Sequence, residues 1–485
     1  MKVLRLVLLS CLFCARMWAT VADQPARTIF IPRPKSANAL YTEGFSLLAT
    51  HDVAHDRVLL LGHTAFFETA PQSTKVGPYF FGGAKEYLKV DENGTGDINS
   101  DWLHLDPAVG ATYTSLIRVY PKRSVAGVCF RAQYILDALL NGLWVGFVAP
   151  LVHAIHELQP VEQQLPSTVL ATTSQFSSAL SCFDWINWRA GKWSGQSQSI
   201  TGFDDVVCQI GFDIYGPRDS IQQIALELVV PVGDRPTAQY LFEPLIGSQG
   251  SFALGGSVKT ITQLFEFDKK MRFSLVSYLC YRYLFQSHQL RLFDLKGQPF
   301  SRYLVYMDTA LSPDIANVQT KAANGQNFFV RDALVIPGAM GQSITALQCQ
   351  IAQHQCTLGY LYWWRTAEQV SFAGSSTRSF AVPSPQGLNT GGAQLWLTDA
   401  QVVENFSSLD AAVYATPSPT YDIEFDVDSG TTPHMSSNLL YVDYTSSFVR
   451  DAGTYSVRLG TGYEFSSGSA VLNSWHVWGG VGLTI

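Results

Sequence analysis

Between Tyr455 and Ile485, apolar residues alternate with small or polar ones almost without a break. Trp475, Val477, Gly479, Val481, Leu483 and Ile485 share one parity, and Ser474, His476, Trp478, Gly480, Gly482 and Thr484 share the other. Just before them, Tyr455, Val457, Leu459, Tyr463 and Phe465 oppose Ser456, Arg458, Gly460, Gly462 and Glu464. A period of two puts successive side chains on opposite faces of a strand. Apolar faces about ten residues long with aromatic ends are how strands that cross a bilayer are built.

The same alternation predicts twelve strands. They run at about 57–70, 113–137, 143–158, 206–215, 220–232, 250–265, 271–288, 342–353, 356–370, 438–450, 454–465 and 471–485. Within the third, Leu143, Val145, Phe147, Ala149 and Leu151 share a parity; within the seventh, Phe273, Leu275, Leu279, Tyr281, Tyr283 and Phe285 do. Short turns are expected at Leu139–Gly142, Gly216–Asp219, Asp268–Lys270, His354-Gln355 and Asp451–Gly453, and long loops at about 71–112, 159–205, 291–341 and 371–437. Turns and long loops fall on opposite sides. An even strand number with short turns at one end and long loops at the other is the plan of a bacterial outer-membrane barrel. Closure also removes the unpaired edges that lipid does not tolerate. The fold class is therefore all-β: a transmembrane antiparallel up-and-down barrel of about twelve strands occupying 57–485.

Residues 23–56 hold Pro25, Pro32 and Pro34 and no alternation, and read as a periplasmic lead-in. Residues 1–22 read as a signal peptide: Lys2 and Arg5, the apolar run Leu6–Phe13, then Thr20-Val21-Ala22 as a cleavage site.

Composition narrows the class. The 485 residues are 47% apolar and 15% charged, too apolar for a disordered chain, and no run of about 20 apolar residues offers a transmembrane helix. A net charge of −7 makes the chain a poor nucleic-acid binder. Beyond the signal, six cysteines remain in an exported chain, where disulfides are permitted. A turn at His354-Gln355 sets Cys349 too far from Cys356 to bond, which leaves Cys182 with Cys208 as the more plausible bridge. No CxxC pair suggests structural zinc.

The closing strand Trp475–Ile485, the segment Phe293–Tyr303 and the stretch Gly142–His153 resemble a little-characterised group of large outer-membrane barrel proteins of Gram-negative-type bacteria. The resemblance covers the strands and not the loops, and the chain departs from such barrels by ending in Ile485 where Phe is common. It implies residence in the bacterial outer membrane, contact with lipid and lipopolysaccharide, and insertion by the barrel-assembly machinery. No activity and no cofactor come with it.

If the aliphatic parity faces lipid, the other faces the lumen. The inward set is then Arg131, Lys259, Arg272, Arg282, Arg365 and Arg458, with the acids Asp213, Glu227, Asp443 and Glu464. Ions are costly in lipid, so these groups must meet water or each other. They either line an aqueous pore that favours anions or form a salt-bridged plug. In the loop at 291–341, Asp294, Lys296 and Arg302 either fold into the mouth as a constriction or belong to an ordinary outer loop. Asp91, Asn93, Thr95, Asp97 and Asn99 approach a calcium-loop spacing, but Trp102 stands where the bidentate Glu belongs. His153, His156 and the string His434-Met435-Ser436 offer no spacing that singles out a Ser–His pair, so catalysis is not expected. Trp363, Trp364, Trp475, Tyr441 and Tyr444 read as an interfacial aromatic girdle. The leading expectation is a porin-like passive channel for small hydrophilic solutes; the alternative is a plugged barrel that acts as a structural or surface-binding protein through its loops. Oligomeric state does not follow from the pattern.

Overall fold

The computed structural model describes residues 27–485 except 32, 35–36, 45–57, 84, 93–95, 104, 106, 167, 173, 175, 187, 217–219, 268–270, 304, 309–321, 373–378, 382–420, 423–424, 451–452 and 467. The signal peptide expected at 1–22 lies outside the described residues.

The alternating stretches form twelve strands: β1 (Leu59–Ala70), β2 (Lys122–Ile135), β3 (Leu143–Glu157), β4 (Val206–Gly216), β5 (Ser220–Val230), β6 (Ala253–Phe267), β7 (Met271–Leu284), β8 (Gly338–Ile351), β9 (His354–Arg365), β10 (Met435–Arg450), β11 (Gly453–Phe465) and β12 (Ser474–Thr484). Each pairs antiparallel with its neighbours in sequence, and β12 pairs with β1 through partners such as Leu60↔Thr484 and Glu68↔His476. The ring closes, so the barrel presents no free strand edge to lipid. Connections at 136–142, 217–219, 268–270, 352–353 and 451–452 are short; those at 71–121, 158–205, 231–252, 285–337 and 366–434 are long and, with the eight-residue link 466–473, leave the opposite end.

Period two sorts the side chains. Leu226, Leu279, Leu358, Leu440, Leu459 and Val477 stand exposed on the outer face, whereas Val276, Tyr278, Cys280, Leu439 and Trp478 are buried inside. An apolar exterior around a polar, packed interior is the reverse of a soluble protein and is what a hydrocarbon solvent demands. The fold is a transmembrane, antiparallel, up-and-down barrel with long loops at one end.

Four expectations are corrected. The single strand at 113–137 divides around Tyr120-Pro121: Thr114–Val119 leaves the barrel and pairs with Leu88–Asp91 and Pro160–Gln164 in a loop sheet. Pro121 has no N–H to donate at the break. The hairpin of β8 and β9 turns at Ala352-Gln353, with Ala352 in the left-handed region at φ 51°, not at His354-Gln355. Cys349 and Cys356 are consequently register partners rather than distant neighbours. The bridge expected between Cys182 and Cys208 is not formed, because Cys182 is buried in the loop helix Ala179–Phe183 while Cys208 faces outward on β4; both are free thiols. Finally, Trp363 and Tyr441 are not girdle residues. They share the parity of Arg365 and Asp443 and are buried in the interior, whereas Trp475 and Tyr444 are exposed outside.

Candidate functional site

The interior is occupied by the chain's own amino-terminal segment. The described part of the expected lead-in, within 27–44, is buried inside the barrel and beneath its loops, not outside it. Pro34 restricts Arg33 to extended backbone. Beyond it, Asn38 caps the single turn α1 (Ala39–Thr42) by accepting from the Leu40 N–H at 3.1 Å.

Residues of this segment meet several strands of the wall. Arg33 pairs with Glu464 of β11, and its guanidinium lies 4.7 Å over the Trp363 ring of β9. Tyr41 stacks on Phe66 of β1 at 4.2 Å, and its hydroxyl is 2.5 Å from Nδ1 of His476 on β12. The Ala39 N–H donates to Gln342 of β8 at 3.0 Å. Arg458 of β11 donates to the Leu40 carbonyl at 2.7 Å, and Arg131 of β2 donates to the Thr42 carbonyl at 3.0 Å. Glu43 pairs with Arg131 at 2.5 Å and accepts from Gln209 of β4 at 3.0 Å. A Cβ added to Gly44 would fall 1.5 Å from the Arg458 Nη1, so glycine is what lets the chain pass that guanidinium. A short segment that reaches seven of the twelve strands lies inside the lumen and not along one side of it.

Of the ten residues that parity suggests point inward, eight are buried, Asp213 and Arg272 are half-buried, and most are in ion pairs. Arg458 is 2.7 Å from Asp443, which also accepts from the Trp478 indole at 2.7 Å. Arg282 is 2.8 Å from Glu227, and Glu227 also accepts from Gln209 at 3.1 Å. Arg131 meets Glu43, and Glu464 meets Arg33 and the His476 Nε2 at 3.1 Å. Asp213 accepts from the Trp144 indole at 3.0 Å and from Gln223 at 2.7 Å. Arg365 is 2.6 Å from Glu368, Lys259 is buried on β6, and Arg272 stands half-buried at the short-turn end, 3.8 Å from Glu266. The geometry is that of a salt-bridged interior.

The loops roof this interior. Asp294 and Arg302 form a buried bidentate pair at 2.8 and 3.0 Å, while Lys296 is exposed. Asp294 also lies 3.1 Å from Arg27, and Arg302 donates to the Arg27 carbonyl at 2.9 Å. Burial disfavours the Arg302 cation, but Asp294 more than offsets it and holds its pKa above the ordinary value. Glu368 is buried too, yet Arg291 and Arg365 keep its carboxyl below the ordinary range. Arg291 in turn lies 5.0 Å over the Phe30 ring, and the Phe242 N–H donates to the Ile29 carbonyl at 2.9 Å. The top of the inserted segment is thus tied to three loops.

Sequence reasoning missed the residues that organise this core. His476 looked like one more small-or-polar position, yet it joins Tyr41, Glu464 and Ser474. Glu68, Glu464 and His476 form a metal-ligand-like grouping among the described residues, their donor atoms within 4.8 Å of one another. Each carboxylate there already faces a guanidinium, Arg123 for Glu68 and Arg33 for Glu464. Ser474 Oγ is 2.9 Å from the His476 Nε2, but that same nitrogen faces Glu464 and the other carries Tyr41, so no base-to-nucleophile relay is set up. Of the other histidines, His153 bonds Thr201 on the outer face and His156 stacks on Phe242 at 4.4 Å. Asp91 and Asp97 of the calcium-like loop pair with Lys89 and Lys85, and residues 93–95 of that loop lie outside the described set.

A closed ring, a lipid-facing exterior and loops gathered at one end decide the class. This is an outer-membrane-type β-barrel. No family model and no curated protein matches the sequence. Among solved structures, the barrel is similar to an outer-membrane channel from Pseudomonas putida F1, with 8% identity over 89% of this chain and 97% of that one and a TM-score of 0.39. It is also similar to the β domain of the Bordetella autotransporter BrkA, with 7% identity, 89% and 100% coverage and a TM-score of 0.32. A Pseudomonas aeruginosa FadL homologue gives 7% identity, 96% and 99% coverage and a TM-score of 0.31. Similarity at this level carries no functional argument, and the barrel's own geometry must supply one.

Proposed function

We propose that this barrel is a gated channel for small hydrophilic solutes, closed at rest by its own residues 27–44 and lodged in the bacterial outer membrane after export on the signal 1–22 and insertion by the barrel-assembly machinery. The observation that carries the reading is the occupied lumen: the described residues within 27–44 are buried inside the barrel and bonded to β1, β2, β4, β8, β9, β11 and β12, which is not the interior of an open passive porin. The lining is charged, so what passes once the segment moves is hydrophilic. Anion preference is not part of the reading, because the inward arginines 131, 282, 365 and 458 each face an acid.

Planar-bilayer conductance tests it. The full chain should be silent with brief openings, and a chain lacking residues 27–44 should conduct steadily. A refolded deletion chain that stays silent would overturn the channel reading and move function to the roofed loops as a binding surface.

A further inference from the structure

The way the segment is held says what else the lumen can hold. Three contacts go to its backbone and ignore side-chain identity: Gln342 to the Ala39 N–H, Arg458 to the Leu40 carbonyl and Arg131 to the Thr42 carbonyl. Three more select side chains. Glu464 beside Trp363 receives a guanidinium. Phe66 and His476 receive a phenol, one by stacking and the other by a hydrogen bond. Arg131 and Gln209 receive a carboxylate. Hydrogen bonds to the backbone that give affinity, beside pockets that select side chains, are how proteins recognise peptides, and here the recognised backbone is a helical turn.

From this geometry we infer that the lumen is a peptide-binding site, and that its ligand in trans is a short peptide with a cationic side chain at the loop end, followed by a helical turn that carries an aromatic residue further in and leads to an acidic residue deepest. The inference rests on the gated reading and names the ligand class of that same site. A hydrocarbon would leave Glu464 without its guanidinium and Arg131 without its carboxylate, and a neutral sugar would answer neither charge. Covalent linkage of residues 27–44 to the barrel supplies only effective concentration, in the millimolar range for a short linker. The contacts themselves are open to a free peptide once the tethered one is loosened.

The test uses the full chain carrying Arg33→Ala, Tyr41→Ala and Glu43→Ala in a planar bilayer, with a synthetic peptide of residues 27–44 added from either side. The native peptide should block the current in a saturable way. A peptide with Arg33→Glu and Glu43→Arg should block at least about tenfold less well, a difference of ~1.4 kcal/mol. A conducting variant that both peptides block equally, or that neither blocks, overturns the peptide site and leaves the gate standing. Refolded triple-variant and deletion chains that are both silent overturn the gate and the inference together. Should the triple variant fail to refold, the isosteric Glu43→Gln chain takes its place with the same readout.

Discussion

Arg131 of the barrel wall and Glu43 of the inserted segment stand 2.5 Å apart, both buried, and the same guanidinium also holds the Thr42 carbonyl. Removing one partner of a buried pair leaves the other charged and desolvated, at a cost of about 3–5 kcal/mol. Glu43→Ala should therefore raise the open probability of the channel. Adding Arg131→Ala should recover part of the closed state, since no orphan charge then remains. Single-channel records of the two single variants and the double variant check this coupling, and additive effects would break it.

The interior also depends on glycine. Gly460 of β11 is the register partner of Trp478 on β12, and a Cβ added to it would lie 2.4 Å from the indole. Gly127 bears the same relation to Phe66, and Gly359 to Tyr441. Gly460→Ala should cost about 1–3 kcal/mol through overpacking. Heat-modifiable gel mobility should show the barrel unfolding at a lower temperature, and Trp478→Phe in the same chain should restore part of the loss. Arginine at Gly460, which parity alone suggests is tolerated, is excluded by the same ring.

Outside, the cost has a different origin. Leu459 is 61% exposed and Val481 is also exposed, both on the lipid face. Arginine there should cost about 2–4 kcal/mol at mid-bilayer depth and lower the yield of assembled barrel. Wild-type gel mobility and yield for Leu459→Arg and Val481→Arg would reverse the assignment of faces.

Acid should loosen the roof. Glu368 bonds Arg291 and Arg365, which hold its carboxyl below the ordinary value of 4.5 despite burial. A carboxylate with a lowered folded pKa contributes stability that is present above its unfolded value and lost as the pH falls through the folded one. The Glu368 amide donates to the Thr432 carbonyl and the Thr432 amide to the Glu368 carboxylate, so the protection of both should fall as the pH drops below the ordinary carboxyl range. Glu368→Gln should remove that pH dependence. Hydrogen exchange read over a pH series checks both statements.

The wall was legible because each of its residues is placed by a local rule. At Leu226, Leu358, Val457 and Leu459 the neighbour on either side is small or polar, and that alone assigns the outer face. Legibility failed where two frames of alternation were equally good, as at the turn Ala352-Gln353, and where an aromatic residue was read by type and not by parity, as at Trp363 and Tyr441. Parity gave the ten inward charges as a set, eight of which are buried, but it did not give their partners, since it assigns a face and says nothing about what stands opposite.

By itself, then, the sequence determined a twelve-stranded lipid-facing cylinder with its loops at one end, because a period of two is a property of consecutive residues. Only the tertiary structure decided that the cylinder is filled, and by what. Arg33 and Glu464 are 431 positions apart, and Tyr41 and His476 are 435 apart. The segment that carries Arg33 and Tyr41 has no period of its own, so its place is set by charge and shape complementarity to a surface that exists only once the ring has closed.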